Sequence, residues 1–549
     1  MLLLVLAFFA GGEAKAIQYA YRVNFTDKNN TPYSLSSPSA YLSPRALARR
    51  SHQGIAIDST DIPVSAAYLD SVLTLTGGTM HVTSRWFNFC VILVADSVSM
   101  QVLDGKPYIQ SRKLVGYYAG MLHRPAASGT ATGNPAQKTT AGDAAYYGQT
   151  WEQTNIVKGN YVHDNGFTGT DKLIAVVDAG YIAADTHPGF SSMWADGRMV
   201  DKRNFTLATD FIYGYDDHGT KVLATMAGYV PGTYVGSAPK ASYALYVTED
   251  GNSEQPIELI NLACATERAD SIGADIVTTS LGYNTFNNPA DDLVFATDLD
   301  GKTTVCARAA NMATSKGMLF VASAGNEGGN SWNRILTPGD ADSALTIGSV
   351  DGSGNNAPNS GYGPNAAGQI KPDVCALGQT AAVFNTVGGY SSEGGTSFST
   401  PQVAGWAACL WQGHTNATPY NIRQAIIKCA SSYNTPGTHI GYGIPNFRCT
   451  SEVLTVNNVP QPFSPSNWVI AAPNPFNSDL KISVSQDTDQ YVDMSIIDIT
   501  GKTELTLHQY FYKGNSAPVS ISLSALPAGI YILKAVSATR QQILRIEKL

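Results

Sequence analysis

Gly394-Gly395-Thr396-Ser397-Phe398-Ser399-Thr400-Pro401 is the stretch of this chain that most suggests covalent chemistry. Paired glycines let a backbone come close to a ligand. Ser397 stands just ahead of a helix-like run, Pro401–Gln412, whose proline suits an early helical position. A hydroxyl there feels the positive end of the helix dipole, which favours the negative charge that develops during attack. A serine alcohol is a weak nucleophile and needs a base within hydrogen-bond reach. Of the nine histidines, His218 fits best, because it lies in Tyr215-Asp216-Asp217-His218-Gly219-Thr220-Lys221-Val222, at the opening of another helix-like run. Asp178 closes the apolar run Leu173-Ile174-Ala175-Val176-Val177 and precedes Ala179-Gly180. A buried carboxylate in that position could hold an imidazole in one tautomer. Asn326 follows Val321-Ala322-Ser323-Ala324-Gly325, and its amide could donate to a developing oxyanion. Singly, each has a plainer reading: a helix N-cap serine, a surface histidine, a turn-capping aspartate, an Asn-Glu-Gly turn. Together they supply nucleophile, base, orienting acid and oxyanion donor.

Such residues matter only if the fold gathers them. Between 146 and 446, apolar strand-like runs (Leu173–Val177, Ser242–Val247, Ile276–Ser280, Met318–Ser323, Ala344–Val350) alternate with helix-like segments (His218–Tyr229, Glu254–Ile272, Val305–Lys316, Thr400–Gln412). The alternation predicts an α/β domain over 146–450, a parallel sheet with helices on both faces. Functional groups in such sheets gather at the carboxyl ends of strands, where Asp178 and Asn326 stand. Residues 17–115 mix strand-like runs (Tyr19–Phe25, Cys90–Val94) with helix-like ones (Ala40–Arg50, Ser65–Leu75) and predict a small α+β unit. Residues 116–145 contain RPAASGTATGNPAQKTTAG, and 451–467 carry three prolines within Asn457–Asn467; both have linker composition. Period-2 alternation in Lys481–Val484, Val492–Ile497 and Ile530–Val536 predicts a small Ig-like β-sandwich over 468–549.

The order Asp, His, Asn, Ser and the motifs around them resemble the subtilisin-like serine proteases, or subtilases (peptidase S8). That family carries an Asp before a small residue and Gly, then H-G-T-x-V, A-G-N and G-T-S-x-[AS]-T-P. The likeness covers about 150–446 and includes His187-Pro188 after the Asp motif. It departs at Ala179, where the family has Thr or Ser, which implies altered hydrogen bonding around Asp178 rather than inactivity. The resemblance implies a secreted serine endopeptidase acting on polypeptides through an acyl-enzyme. Ser397 would attack, His218 would move the proton, Asp178 would orient His218, and Asn326 would bind the oxyanion with the Ser397 N–H. Thr279-Ser280-Leu281-Gly282 resembles the family's edge strand, so Ser280, Leu281 and Gly282 would pair with an extended substrate. Ala324 and Gly325 would line the primary specificity pocket. No cofactor is required. A structural Ca²⁺ is compatible with the family, and Asp298 and Asp300 in Asp298-Leu299-Asp300-Gly301 are its weak candidate ligands, without the bidentate Glu of an EF-hand loop.

The flanks resemble known parts as well. Residues 17–115, with SSPSAYLSPRALARR at Ser36–Arg50, are similar to a propeptide of secreted Bacteroidota subtilases. Ala472-Pro473-Asn474-Pro475-Phe476-Asn477, Ile497-Asp498-Ile499-Thr500-Gly501-Lys502 and Leu526-Pro527-Ala528-Gly529-Ile530-Tyr531 are similar to the C-terminal sorting domain of type IX secretion. That likeness implies the type IX machinery as a partner and a secreted or cell-surface location outside the outer membrane. Residues 1–16, with the apolar run Met1–Ala10 and Ala14-Lys15-Ala16, read as a signal peptide. The run is too short to span a bilayer, so no stable membrane span is expected.

Bulk properties agree. The chain has 549 residues, 44% of them hydrophobic, enough for several packed cores. A net charge near −8 with no long basic run makes nucleic acid a poor partner. None of the seven cysteines forms C-x-x-C, so zinc-knuckle and thioredoxin readings lack support. Cys264 and Cys306 flank one predicted strand and are a candidate pair. Two other functions compete. A catalytically silent adhesion module would have no need of all four functional residue types. An esterase usually shows G-x-S-x-G and the order Ser, acid, His, and neither occurs here.

Overall fold

All six residues of the strand Leu173–Asp178 are buried, as in a strand covered on both faces. In the computed structural model it lies inside a seven-stranded parallel sheet. The order is Val374–Leu377, Leu345–Val350, Leu319–Ser323, Ile276–Thr279, Leu173–Asp178, Ser242–Val247, Met199–Asn204. The structure describes residues 17–118, 144–214, 216–457, 468–486, 490–511, 514–515, 518–537 and 541–549. The expected signal peptide and most of both expected linkers lie outside the described residues.

Side chains of successive strand residues point to opposite faces. Ile174 and Val176 therefore join one core layer with the helices His218–Ala227 and Thr396–Gly413. Leu173, Ala175 and Val177 join the other, with the helices Pro256–Ile272 and Val305–Ser315. From Leu173–Asp178 the chain builds outward to Met199–Asn204 and Ser242–Val247. It then crosses back and builds the other side from Ile276–Thr279. Connections leave the two central strands in opposite directions, and that divergence opens a crevice at their carboxyl ends. Asp178 and Ser280 stand on its two sides.

Five strands match the sequence-predicted runs to within a residue. The two edge strands were not expected: Met199–Asn204 is MVDKRN, polar and partly exposed, and Val374–Leu377 has only four residues. The helix expected from about residue 400 begins at Thr396, so Pro401 lies inside it rather than in its first turn. A proline at 401 cannot donate to the carbonyl of residue 397, four positions earlier. Ser280 Oγ makes that bond instead, at 2.9 Å, and the helix tolerates the proline.

Residues 18–118 form an antiparallel sheet in the order Thr79–Ser84, Phe89–Val94, Gln18–Phe25, Ile109–Tyr118, with helices Pro44–His52 and Ala66–Thr76. One sheet face shares a core with Pro256–Ile272: Ala20, Trp86, Phe89 and Val115 pack with Ile257, Ile260 and Cys264. Beside this core lies a buried ionic cluster. Asp270, fully buried, receives the guanidiniums of Arg49, Arg50 (2.8 Å) and Arg85 (2.8 Å). Glu267 accepts from the Arg85 N–H at 2.8 Å, the Trp86 N–H at 3.0 Å and Ser84 Oγ at 2.8 Å. Lys316 bridges to Asp61 at 2.9 Å and Asp58 at 3.0 Å.

The proposed Cys264–Cys306 pair does not form. Both thiols are free and buried, Cys264 midway along its helix and Cys306 in the first turn of a neighbouring one, and Cys306 Sγ donates to Leu259 O at 3.4 Å. Cys429 and Cys449 form the disulfide, with Cα atoms 5.7 Å apart.

Residues 458–549 are a separate compact unit. One sheet pairs Val469–Ala472 and Val519–Ser522 with Asp479–Gln486. A second has the order Thr503–Phe511, Gln490–Asp498, Gly529–Val536, Gln541–Lys548. Leu480, Ile482, Val492, Met494, Leu533 and Ile546 from both sheets share one core. No helix among the described residues is long and apolar enough to cross a membrane.

Candidate active site

Asp178 has the same strand parity as Ile174 and Val176, so its carboxylate faces the layer holding the helices of His218 and Ser397. It is fully buried. Its Oδ1 accepts from the Ala179 N–H at 2.8 Å and from His218 Nδ1 at 2.6 Å. Among the described residues its Oδ2 has no hydrogen-bond partner. Ala179, where the family pattern has a hydroxyl, offers it none.

His218 opens its helix, and its N–H donates to Asp216 Oδ1 at 2.7 Å. The helix can start this close to the Asp178 strand because residue 219 is glycine. A Cβ there would lie 2.5 Å from Gly180 O and 2.9 Å from Asp178 Cβ. The imidazole remains 29% exposed. Burial alone would lower its pKa, but the charge and hydrogen bond of Asp178, helped by Asp216 and opposed by Lys221, raise it to about 8. The ring lies 5.8 Å from that of Phe398, which brings His218 alongside the segment carrying Ser397.

Ser397 is the second residue of its helix and is 6% exposed. Its Oγ donates to Ser280 O at 3.4 Å, so in this structure the hydroxyl is turned toward Ser280 rather than His218. The helix is preceded by Gly395 at φ +143°, where a Cβ would also come within 3.2 Å of Asn326 Oδ1. Asn326 Oδ1 accepts from Thr396 N at 2.9 Å and Thr396 Oγ1 at 3.1 Å. Both partners donate, so they fix the amide oxygen inward and turn the NH₂ group away, on a residue exposed to solvent.

The remaining predicted residues fall around this group. The strand ending at Thr279 is fourth of seven and not an edge; Ser280, Leu281 and Gly282 run on beyond the sheet, and Leu281 O accepts from Ser323 Oγ at 3.3 Å. Ala324 and Gly325 continue the neighbouring strand toward Asn326. Asp298 and Asp300 lie apart from the group. Asp298 Oδ2 accepts from Val294 N at 2.7 Å, and Asp300 Oδ1 from Lys302 N at 3.0 Å and Thr303 N at 2.8 Å. These are turn and cap bonds. A carboxylate trio that sequence reasoning missed, Glu249, Glu254 and Glu258, has ligand oxygens within 4.8 Å of one another. Glu258 caps the N-terminus of its own helix, accepting from Gln255 N and Asp250 N at 3.0 Å each. Burial and the neighbouring Glu249 raise the pKa of Glu258 to about 10. The only signal for this in the sequence was Gln255 with Glu258 three residues later, the spacing of a capping box.

A family model described as the subtilase family matches residues 169–443. The chain belongs to the subtilase family. A model of the Bacteroidota peptidase S8 propeptide domain matches residues 20–128 of this subtilase, and one of a secretion-system C-terminal sorting domain matches 471–547. It is 28% identical to Subtilisin NAT of Bacillus subtilis subsp. natto over 302 residues, 54% of this chain and 70% of the relative. With Subtilisin DY of Bacillus licheniformis the identity is 26% over 300 residues, 54% and 97% of the two chains. The crystal structure of the epidermin leader peptide processing serine protease of Staphylococcus aureus shares the fold, with a TM-score of 0.54 at 15% identity, covering 81% of this chain and 100% of that one. This subtilase is a serine-type endopeptidase. Its propeptide and sorting tail mark it as a secreted or cell-surface protein.

Proposed function

We propose that this subtilase hydrolyses peptide bonds with Ser397 as nucleophile, His218 as general base and then general acid, and Asp178 as the carboxylate that orients His218. The observation that carries the reading is the 2.6 Å bond from His218 Nδ1 to the buried Asp178, alongside Ser397 in the first turn of its helix. With Nδ1–H committed to Asp178, Nε2 is the free acceptor. Rotation of the Ser397 side chain from Ser280 O to Nε2 completes the relay. As Oγ attacks the scissile carbonyl, the proton passes to His218 and then to the leaving amine, and water resolves the acyl-enzyme by the same route in reverse. The Asn326 NH₂ and the Ser397 N–H receive the oxyanion. No cofactor enters these steps. In the same reading, residues 17–115 leave by proteolysis during maturation, 146–450 form the working protease, and the type IX machinery exports the chain by its tail, 468–549.

The test is active-site labelling. A fluorophosphonate should modify Ser397 in the activated wild type, read by peptide mass spectrometry. Ser397→Ala should lose both the label and casein hydrolysis, and should leave the propeptide attached if maturation is autocatalytic. Full activity in Ser397→Ala overturns the assignment.

A further inference from the structure

A peptide bonded to Ser397 with its oxyanion on Asn326 must place the side chain next to the scissile carbonyl between two segments. One is Ser280–Gly282, whose Ser280 touches Ser397. The other is Ala324–Asn326. These are the continuations of adjacent parallel strands, and in the reading proposed above that side chain would lie between them. In this chain Leu336 stands against both segments. A Cβ on Gly282 would lie 2.8 Å from both Cβ and Cδ1 of Leu336, and a Cβ on Gly325 would lie 2.6 Å from its Cγ and 2.8 Å from its Cδ1. Each segment has glycine where it faces Leu336, so this one side chain lies against both and leaves no room for a Cβ on either. Leu336 is fixed there, 6% exposed, with its N–H donating to Ala324 O at 3.1 Å.

We propose that Leu336 is the specificity-determining residue of this subtilase, closing the primary pocket so that it accepts only small side chains (Gly, Ala, Ser) before the scissile bond. The inference rests on Ser397 and Asn326 acting as proposed above. A large aromatic or branched side chain would have to displace a leucine packed against backbone on two sides, whereas a methyl group needs no such shift.

The experiment compares kcat/KM for succinyl-Ala-Ala-Pro-X p-nitroanilides, with X as Ala, Leu or Phe. It uses the activated enzyme from the full chain, with fluorophosphonate labelling of Ser397 read in parallel. A single methylene in an apolar pocket changes discrimination by roughly 10–200-fold, so wild type should favour Ala over Phe by at least about 10-fold. Leu336→Gly should raise kcat/KM for Phe by at least about 10-fold. If Leu336→Gly fails to fold, Leu336→Ala is the second variant, and the wild-type profile decides without either. Labelling of Ser397 together with preference for Phe or Leu in wild type overturns the Leu336 proposal and leaves the Ser397 assignment standing. Absence of both labelling and cleavage overturns the Ser397 assignment, and the pocket reading with it.

Discussion

Protonation of His218 should set the pH at which this subtilase works. Burial would keep the imidazole neutral, but Asp178, with help from Asp216, raises its pKa to about 8. Only neutral imidazole accepts the serine proton, so kcat/KM should climb as one ionisation with a midpoint near pH 8. At pH 7 it should be about a tenth of its plateau. The perturbation is Asp178→Asn. A rise from 6.5 to about 8 amounts to about 2 kcal/mol of preference for the imidazolium, supplied by the carboxylate against burial. Asparagine removes that charge and leaves burial, so the midpoint should fall below 6.5. Loss of the tautomer hold should also lower kcat about 10⁴-fold, the size known for such a change in serine-protease triads. Because activity nearly vanishes, the assay for the variant is NMR titration of ¹⁵N-histidine in a Ser397→Ala background, with and without Asp178→Asn, beside the wild-type pH–rate profile. Linkage supplies a second sign. The folded-state pKa lies above the unfolded value, so this group's contribution to stability is complete below pH 6.5 and is lost as pH rises through about 8. Activity should therefore rise over the interval in which this stabilisation fades. A wild-type His218 that titrates at or below 6.5, or a midpoint that Asp178→Asn does not lower, refutes the reasoning.

Asn326→Ala should cut kcat roughly 10²–10³-fold with KM little changed, as steady-state kinetics would show; the magnitude is one measured on a subtilisin, a relative of this chain, and is carried over to it. Asp270→Ala leaves the Arg49, Arg50 and Arg85 guanidiniums buried without their shared carboxylate, which should cost the propeptide-bound form about 3–5 kcal/mol. Thermal unfolding of the Ser397→Ala full chain should show it as a lower Tm, and an unchanged Tm would count against this cluster as a stabilising contact of that form.

The parts visible in the sequence were those written locally. A run such as Leu173–Val177 shows its burial in its own composition, and Gly219 or Gly395 marks a close approach beside the residue that makes it. What stayed hidden was decided by partners far along the chain. The rule that places proline in a first helical turn misjudged Pro401, because the bond it cannot make is replaced from Ser280. Cys264 and Cys306 share a core, but each is held on its own helix, and the Cys306 thiol donates to Leu259 O instead. Cys429 and Cys449 meet because the chain folds back between them, with Ala430 bridged to Pro445. Leu336 is an unremarkable leucine in a connection, and only the glycines at 282 and 325 give its position meaning. Chemistry in this fold is therefore carried by residues that announce themselves, because proton transfer needs particular functional groups in a fixed order. Selectivity is carried by residues of ordinary type, because excluding a substrate side chain requires only volume in the right place. A motif can establish that a chain cleaves peptides, but what it cleaves is decided by contacts such as Leu336 against Gly282 and Gly325, which only the folded arrangement displays.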